Sequence, residues 1–418
     1  MREMKDSGIE WIGYIPKNWN MSKIGSLYTQ RNEKVSDKEY QPLSVTMQGV
    51  LPQLASAAKT DDGDNRKLVR VGDFAINSRS DRRGSCGISP LDGSVSLINI
   101  ILTPRTTMHS GYYDWLFHTT LFADEFYKWG HGIVADLWTT RWQEMKSICV
   151  PVPEYAEQKH ISEFLDSECA EIDAVLKKTR ASIEEYKKLK QAVITQAVTK
   201  GIRGDRPMKD SGIKWIGEIP ADWKTAAIKR GFTLVAGATP KSEISEYWDG
   251  EICWITPADY KTEDYYIHCG RRCISKAGLE SCATQIIPKN CIIFSKRAPI
   301  GSVAITANQL CTNQGCIALI PCVNVDIRYY YFALSAFTEQ FNLLGSGTTF
   351  KEISASNFAD FKLPHLSIEE QKEIADYLDA KCFEINNLIS KKQQYLTEIE
   401  NYKKSLIYEY VTGKKEVI

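Results

Sequence analysis

No proline or glycine interrupts residues 157–198, and that continuity limits what this chain can build. Within EQKHISEFLDSECAEIDAVLKKTRASIEEYKKLKQAVITQAV, apolar residues recur at Ile161, Leu165, Ile172, Val175, Val193 and Ala197. Ile183, Tyr186 and Leu189 lie between them, and Lys and Glu fill the remaining positions. This mixed three-and-four spacing predicts one continuous amphipathic helix, roughly 60 Å long at about 1.5 Å per residue. Residues 370–411 repeat the frame with Ile374, Leu378, Ile385, Leu388, Tyr395, Ile399, Tyr402 and Leu406. A helix of that length needs a long partner. Two such helices in one chain offer each other that partner, so an intramolecular coiled coil is expected in preference to two separately packed helices or a dimer. The expected coiled-coil and subunit-docking positions are Ile161, Leu165, Ile172, Tyr186, Ile374, Leu378, Ile385 and Tyr402. Glu168, Thr179 and Ser182 interrupt the stripe, and such interruptions fix register or mark the seat of another subunit.

The helices belong to a larger repeat. MKDSGIEWIGYIPKNW at residues 4–19 returns as MKDSGIKWIGEIPADW at residues 208–223, a shift of 204. VPVPEYAEQKHISEFLD from Val150 corresponds to LPHLSIEEQKEIADYLD from Leu363, a shift of 213. Each half therefore carries a short opening segment, an insert and a long helix. Pro16 and Pro220 exclude an ordinary helix from the opening segment. It is expected to be an extended strap that docks Trp11, Ile12, Ile15 and Trp19, or Trp215, Ile216, Ile219 and Trp223, beside the helices. The inserts hold short β-like runs such as KLVRVGDFAIN, SVSLINIILTP and CIALIP, followed by aromatic helical clusters. Mixed α/β domains fit them. The expected boundaries are 1–150 for the first strap and insert, 151–200 for the first helix and 201–207 for the linker. Residues 208–362 form the second strap and insert, and residues 363–418 the second helix and tail. Straps and helices stay alike between the halves while the inserts diverge, which suggests one mechanical job performed on two targets.

Several function classes are excluded. There is no GxxxxGK[ST] loop for a nucleotide, no GxGxxG after a strand, no HExxH and no Asn-Pro-Pro-aromatic stretch for amino-group methylation. No run of about eighteen apolar residues could span a bilayer, so no membrane role is expected. Twelve Cys lack an evident framework, which suggests reduced thiols in a cytoplasmic protein. The spacings Cys269/Cys273 and Cys311/Cys316 are loose for structural zinc, so no metal is expected. The formal net charge of zero neither supports nor excludes a nucleic-acid partner, because local basic patches are what bind phosphate.

Such patches recur at matching places. SRSDRRGS follows the apolar run FAIN in the first insert, and SKRAPIGS follows CIIFS in the second. Short basic loops between strands can present guanidinium forks to guanine edges or phosphates. The candidate DNA contacts are Arg79, Arg82, Arg83 and Arg141 in the first insert. In the second they are Arg271, Arg272, Lys296, Arg297, Thr348 and Thr349. For any one of these residues an ordinary solvated loop is the competing reading.

The strap MKDSGIEWIGYIP and the run P-x-x-E-Q-K-x-I-x-x-(F/Y)-L-D, which opens a helix ending in Ala-Val-Thr-Lys-Gly, resemble the specificity subunits of type I restriction–modification systems. Both occur twice, in the family's order, although the second helix ends in Tyr-Val-Thr-Gly. The resemblance implies an α+β chain with two mixed α/β target recognition domains, separated by two long antiparallel helices and related by a pseudo-twofold repeat. It implies a non-catalytic subunit whose domains each bind half of a bipartite double-stranded DNA site. Two modification subunits carrying S-adenosylmethionine would dock on the helices, and two restriction subunits with ATP and Mg would complete the enzyme, leaving no cofactor in this chain. The competing classes are a coiled-coil adaptor that binds two proteins without DNA, and a stand-alone DNA-binding regulator.

Overall fold

The computed structural model describes residues 2–53, 63–132, 138–260, 265–346 and 351–417. The chain divides into two compact units, one of Met1–Arg180 with Gln393–Ile418 and one of Ala181–Lys392. Each unit thus holds one strap, one insert, the first part of one long helix and the last part of the other. Among the described residues, no helix is long and apolar enough to cross a membrane.

In the first unit the opening segment is a hairpin in which Met4–Asp6 pairs antiparallel with Tyr14–Pro16. The extended strap anticipated from Pro16 folds back because Gly8 and Gly13 take φ of 70° and 68°, where glycine has no Cβ penalty. The Asp6 carboxylate accepts the Gly8 N–H at 2.9 Å and closes that turn. The second unit repeats the hairpin with Met208–Asp210 against Glu218–Pro220.

The tryptophan that follows each hairpin explains why both helices open on Glu-Gln. Trp19 is 1 % exposed, and its indole N–H donates to Glu157 at 2.8 Å. Arg2 pairs with the same carboxylate and lies 5.4 Å from the Trp19 ring centroid. Trp223 donates to Glu370 at 2.9 Å, while Arg206 pairs with Glu370 and lies 5.5 Å from the Trp223 ring centroid. The glutamines fasten the other side of each helix. Gln158 accepts the His109 N–H at 2.8 Å and donates to the Pro153 carbonyl at 2.8 Å. Gln371 accepts the Asp326 N–H at 2.9 Å and donates to the Leu366 carbonyl at 3.0 Å. The dipeptide therefore ties strap and insert to the start of the helix.

Each insert centres on an antiparallel sheet backed by aromatic helices. In the first unit the strand order is Cys86–Ile88, Phe74–Asn77, Asn99–Pro104, Tyr28–Arg31. Tyr112, Tyr113, Phe117, Phe122 and Phe126 from helices Ser110–Phe117 and Thr120–Lys128 fill the core beside it. In the second unit Phe232–Ala236, Cys316–Pro321, Ile292–Ser295 and Val303–Thr306 follow the same plan. A further strand, Tyr266–Ile267, joins that sheet parallel to Val303–Thr306. In each insert the strand preceding the basic loop is central and buried throughout, Phe74–Asn77 in one and Ile292–Ser295 in the other. It is therefore a fixed platform for the loop.

The long helices are Tyr155–Lys200 and Ile368–Val411. Within the first unit their parts run antiparallel: Lys403 meets Asp173 at 2.6 Å, and the rings of Phe164 and Tyr410 lie 4.4 Å apart. Within the second, Lys190 donates to Asn386 at 2.9 Å, and Lys392 sits 5.7 Å from the Tyr186 ring.

Ile161, Leu165, Ile374, Leu378 and Ile385 are buried, and Ile172 and Tyr186 are half-buried. Tyr402 is not on the covered line, being 54 % exposed. Leu388, Tyr395, Val175 and Leu189 are exposed as well. The covered line passes one residue further on, through Leu176, Thr179, Ile183, Lys190 and Ile194 in one helix and Ile389, Lys392, Leu396, Ile399, Lys403 and Leu406 in the other. Adjacent apolar pairs such as Leu388-Ile389 and Tyr395-Leu396 made both frames readable from sequence. Selection of the frame that includes lysines is possible because their aliphatic stems pack while their heads reach Asp173, Asn386 or the Tyr186 ring. Thr179, the apparent flaw in the stripe, donates to the Val175 carbonyl at 2.9 Å and buries no unpaired hydroxyl.

Neighbouring substitutions distinguish the frames. Leu176→Ala removes a side chain that is 4 % exposed and is expected to cost about 2–4 kcal/mol in urea unfolding. Val175→Ala, at 39 % exposure, should change stability by less than about 0.5 kcal/mol. The reverse order would place the covered line on Val175.

The cysteine expectation needs correction. Ten cysteines are free, but Cys253 and Cys269 form a disulfide. Strand pairing sets Cys253 opposite Cys273, and the turn before Arg272–Ile274 brings in Cys269, a convergence that linear spacing does not reveal.

Candidate nucleic-acid interface

The basic loops are held by the same bridge in both units. Arg79 follows the strand Phe74–Asn77 and pairs through its backbone with Thr139. Thr139 also bridges to His131, closing a second loop against the first. In the second unit Arg297 follows Ile292–Ser295 and bridges to Glu352, which also bridges to Ser346. A basic loop and a polar loop therefore meet at equivalent places, two segments far apart in sequence.

In the first unit Arg79 and Arg141 line one cleft of about 360 Å³, together with Gln30, Lys67 and Trp142. Both arginines are exposed. The loop that carries Arg141 is anchored from below, since Thr140 donates to the Phe126 carbonyl at 2.8 Å and Trp138 donates to that of Tyr127 at 2.8 Å. The Arg141 N–H donates to Glu144 at 3.0 Å and starts the short helix Trp142–Met145. Anchored backbone with free guanidinium heads suits recognition, because less order has to be gained on binding. Lys67 is half-buried and donates to the Asn99 carbonyl at 2.7 Å, and burial pushes its ammonium below the usual lysine range. Sequence reasoning missed Lys67 and Gln30 because both are strand residues, and the Arg-Lys pair that opens the strand Arg66–Val69 was the only signal.

Arg82 and Arg83 line an adjoining cleft of about 590 Å³ with Thr46, Gln53 and Asn99. Arg82 stands 3.6 Å from Asp81, and Arg83 pairs with Asp124. All four of these charged side chains are largely exposed, so the pairs are weak and exchangeable.

In the second unit Lys296 and Arg297 converge on one carboxylate, Glu352, at 2.6 and 2.7 Å. Burial pushes Glu352 up, but hydrogen bonds from both cations outweigh it and hold the carboxyl below its usual range. Arg271 and Arg272 lie elsewhere, in the turn before the strand Arg272–Ile274 and at its first residue. Arg271 meets Asp259 at 2.9 Å, and Arg272 lies 3.6 Å from the Trp248 ring centroid as a stacked cation. The two groups are neighbours through the turn Pro257–Asp259, since Lys296 donates its N–H to the Gly315 carbonyl at 2.9 Å and a Cβ at Gly315 would meet Pro257 at 2.9 Å. Thr348 and Thr349 lie outside the described residues. Among the described residues of these clefts no side chains are arranged as a nucleophile with a base, and the groups that converge are donors suited to phosphate and base edges.

Comparison with known proteins gives these loops a context. Residues 220–401 match the family model described as the type I restriction modification DNA specificity domain. The type I restriction enzyme MjaIX specificity subunit of Methanocaldococcus jannaschii is 39 % identical over 186 residues, 44 % of this chain and 43 % of that protein. The MjaVIII specificity subunit of the same organism is 25 % identical over 286 residues, 65 % of this chain and 63 % of that protein. The chain thus spans less than two thirds of the length of these curated relatives. A chain from a structural study of complex assembly and conformational transition of the type I R-M system matches with a TM-score of 0.77, 14 % identity, and coverage of 96 % of this chain and 99 % of that one. The HsdS subunit of Thermoanaerobacter tengcongensis matches with a TM-score of 0.53, 16 % identity, and coverage of 96 % and 98 %. At these identities the structural matches speak to fold.

Proposed function

We propose that the chain is a type I restriction–modification specificity subunit, the sequence-specific DNA-recognition subunit of such a complex, and is itself non-catalytic; the family-model match and the similar specificity subunits support this reading. Each insert acts as a target recognition domain for one half of a bipartite double-stranded site. The observation that carries this reading is the paired bridge, Arg79 to Thr139 and Arg297 to Glu352, which presents an arginine from like platforms beside unlike partners. Like platforms place both domains on DNA by phosphate contacts, and unlike side chains let them prefer different bases.

The long helices set the spacing between half-sites and dock two modification subunits. Exposed Tyr395 and Tyr402 in the first unit, and exposed Leu189 and Leu388 in the second, supply apolar surface suited to that partner. S-adenosylmethionine, and the extrusion of an adenine for methylation, belong to those modification subunits. ATP and Mg belong to two restriction subunits that complete the assembly. Arg79, Arg82, Arg83, Arg141, Arg271, Arg272, Lys296 and Arg297 are the DNA contacts of this reading.

Methylome sequencing of a host strain carrying this chain and its modification partner tests it. A seven-residue deletion in both helices preserves the three-four frame. It is expected to change the tolerated gap between half-sites and leave the bases of each half-site unchanged. A deletion that altered those bases would refute the division between spacer and recognition domains. Gel shifts add an independent measure: tight specific binding should require the modification subunit.

A further inference from the structure

Three cysteine sulfurs in the second unit, from Cys253, Cys269 and Cys273, all lie within 4.8 Å of one another. They come from three segments. Cys253 is on the strand Trp248–Ile255, Cys273 is its direct cross-strand partner on Arg272–Ile274, and Cys269 is in the preceding turn. The turn approaches closely because Gly270 has no side chain, and a Cβ there would meet the Trp254 carbonyl at 2.5 Å. A disulfide staple requires two cysteines. The third, Cys273, holds its sulfur 3.7 Å from that of Cys269. Tetrahedral zinc with Zn–S bonds of about 2.3 Å sets its sulfurs about 3.8 Å apart.

We propose that Cys253, Cys269 and Cys273, when reduced, form a three-thiolate site for Zn2+. The fourth position is open to water, because Cys269 is exposed. Soft thiolate ligands select zinc over magnesium or calcium. Disulfide and metal are alternative states of the same sulfurs. The Cys253–Cys269 bond takes two electrons and two protons from two molecules of a thiol reductant, which leave as their own disulfide. Zn2+ then displaces three thiol protons and bonds to three sulfurs. Metal would fix the turn that carries Arg271 and the strand start that carries Arg272, the paired and stacked cations of this unit.

The test uses the full chain, reduced, stripped of metal and equilibrated with Zn2+ or Co2+ alone. About one Zn2+ per chain should survive desalting, and Co2+ should give the visible absorption of a tetrahedral thiolate site. Cys253→Ser, Cys269→Ser and Cys273→Ser should each weaken zinc binding by about tenfold or more, while Cys322→Ser, at an exposed cysteine outside the cluster, should not. Zinc should also shield the three cluster thiols of the unaltered chain from alkylation, a readout that survives any folding defect in the variants. Retention of no more metal by the unaltered chain than by the variants would overturn the proposal. So would alkylation protection that falls on other cysteines.

Discussion

Trp223→Ala is expected to destabilise the chain by about 3–5 kcal/mol in urea unfolding, the largest stability loss anticipated from one substitution here. The indole is 1 % exposed and stands in the core of the second unit. Its removal opens a cavity and also withdraws the N–H that reaches Glu370 at 2.9 Å. The Glu370 side chain is 5 % exposed and would keep only its Arg206 partner, so part of the cost is the desolvation of a carboxylate. Trp223→Phe separates the two contributions, because it keeps much of the ring and loses the donor. It should cost about 1–2 kcal/mol. Trp215→Ala, in the same strap but 40 % exposed over Phe361, should cost less than either. Equal losses for Trp223→Phe and Trp223→Ala would mean that packing of the ring contributes little, contrary to the burial seen.

The same residues show what the sequence made legible. The repeated Trp and the repeated Glu-Gln were visible as spacing, and spacing was enough to assign a scaffold kept twice. It could not reveal that Glu157 and Glu370 accept from those tryptophans, because a hydrogen bond between residues 138 or 147 positions apart leaves no local pattern. Helix continuity was legible from the absence of breakers. The covered face was displaced by one residue in places, because Leu388-Ile389 and Tyr395-Leu396 offer two apolar choices and only packing selects between them. Basic loops were legible as loops, whereas Lys67 and Gln30 reach the Arg79 cleft from strands whose alternation marks burial and not function. Glu352 escaped notice because an acid is not sought in a DNA-binding loop, yet it sets the second unit apart. Cys253 lay 16 residues from Cys269, too far for a spacing rule, and only strand register unites them.

That contrast between the units leads to the largest functional effect. Arg79→Ala combined with Arg141→Ala is expected to lower the affinity of the assembled complex for its specific duplex by about 2–5 kcal/mol, as each good guanidinium contact to a base contributes about 1–3. Both side chains are exposed and line one cleft, so the folded chain should lose less than about 0.5 kcal/mol. Competition anisotropy with specific and unrelated duplexes at two salt concentrations separates base from phosphate contacts. Base contacts predict a loss confined to the specific duplex with an unchanged salt slope. Phosphate contacts predict equal losses on both duplexes and a slope reduced by about one per arginine. The first pattern is expected, because the arginines flank the Thr139 bridge on a rigid platform. Lys296 and Arg297 should behave differently, since Glu352 already neutralises part of their charge and must release them before DNA is contacted. Glu352→Gln should therefore strengthen binding to unrelated DNA and steepen its salt dependence, eroding discrimination in the second half-site only. If the double arginine variant bound its specific duplex undiminished, the reading surface of the first unit would have to lie elsewhere, with the Arg82 and Arg83 cleft next in line.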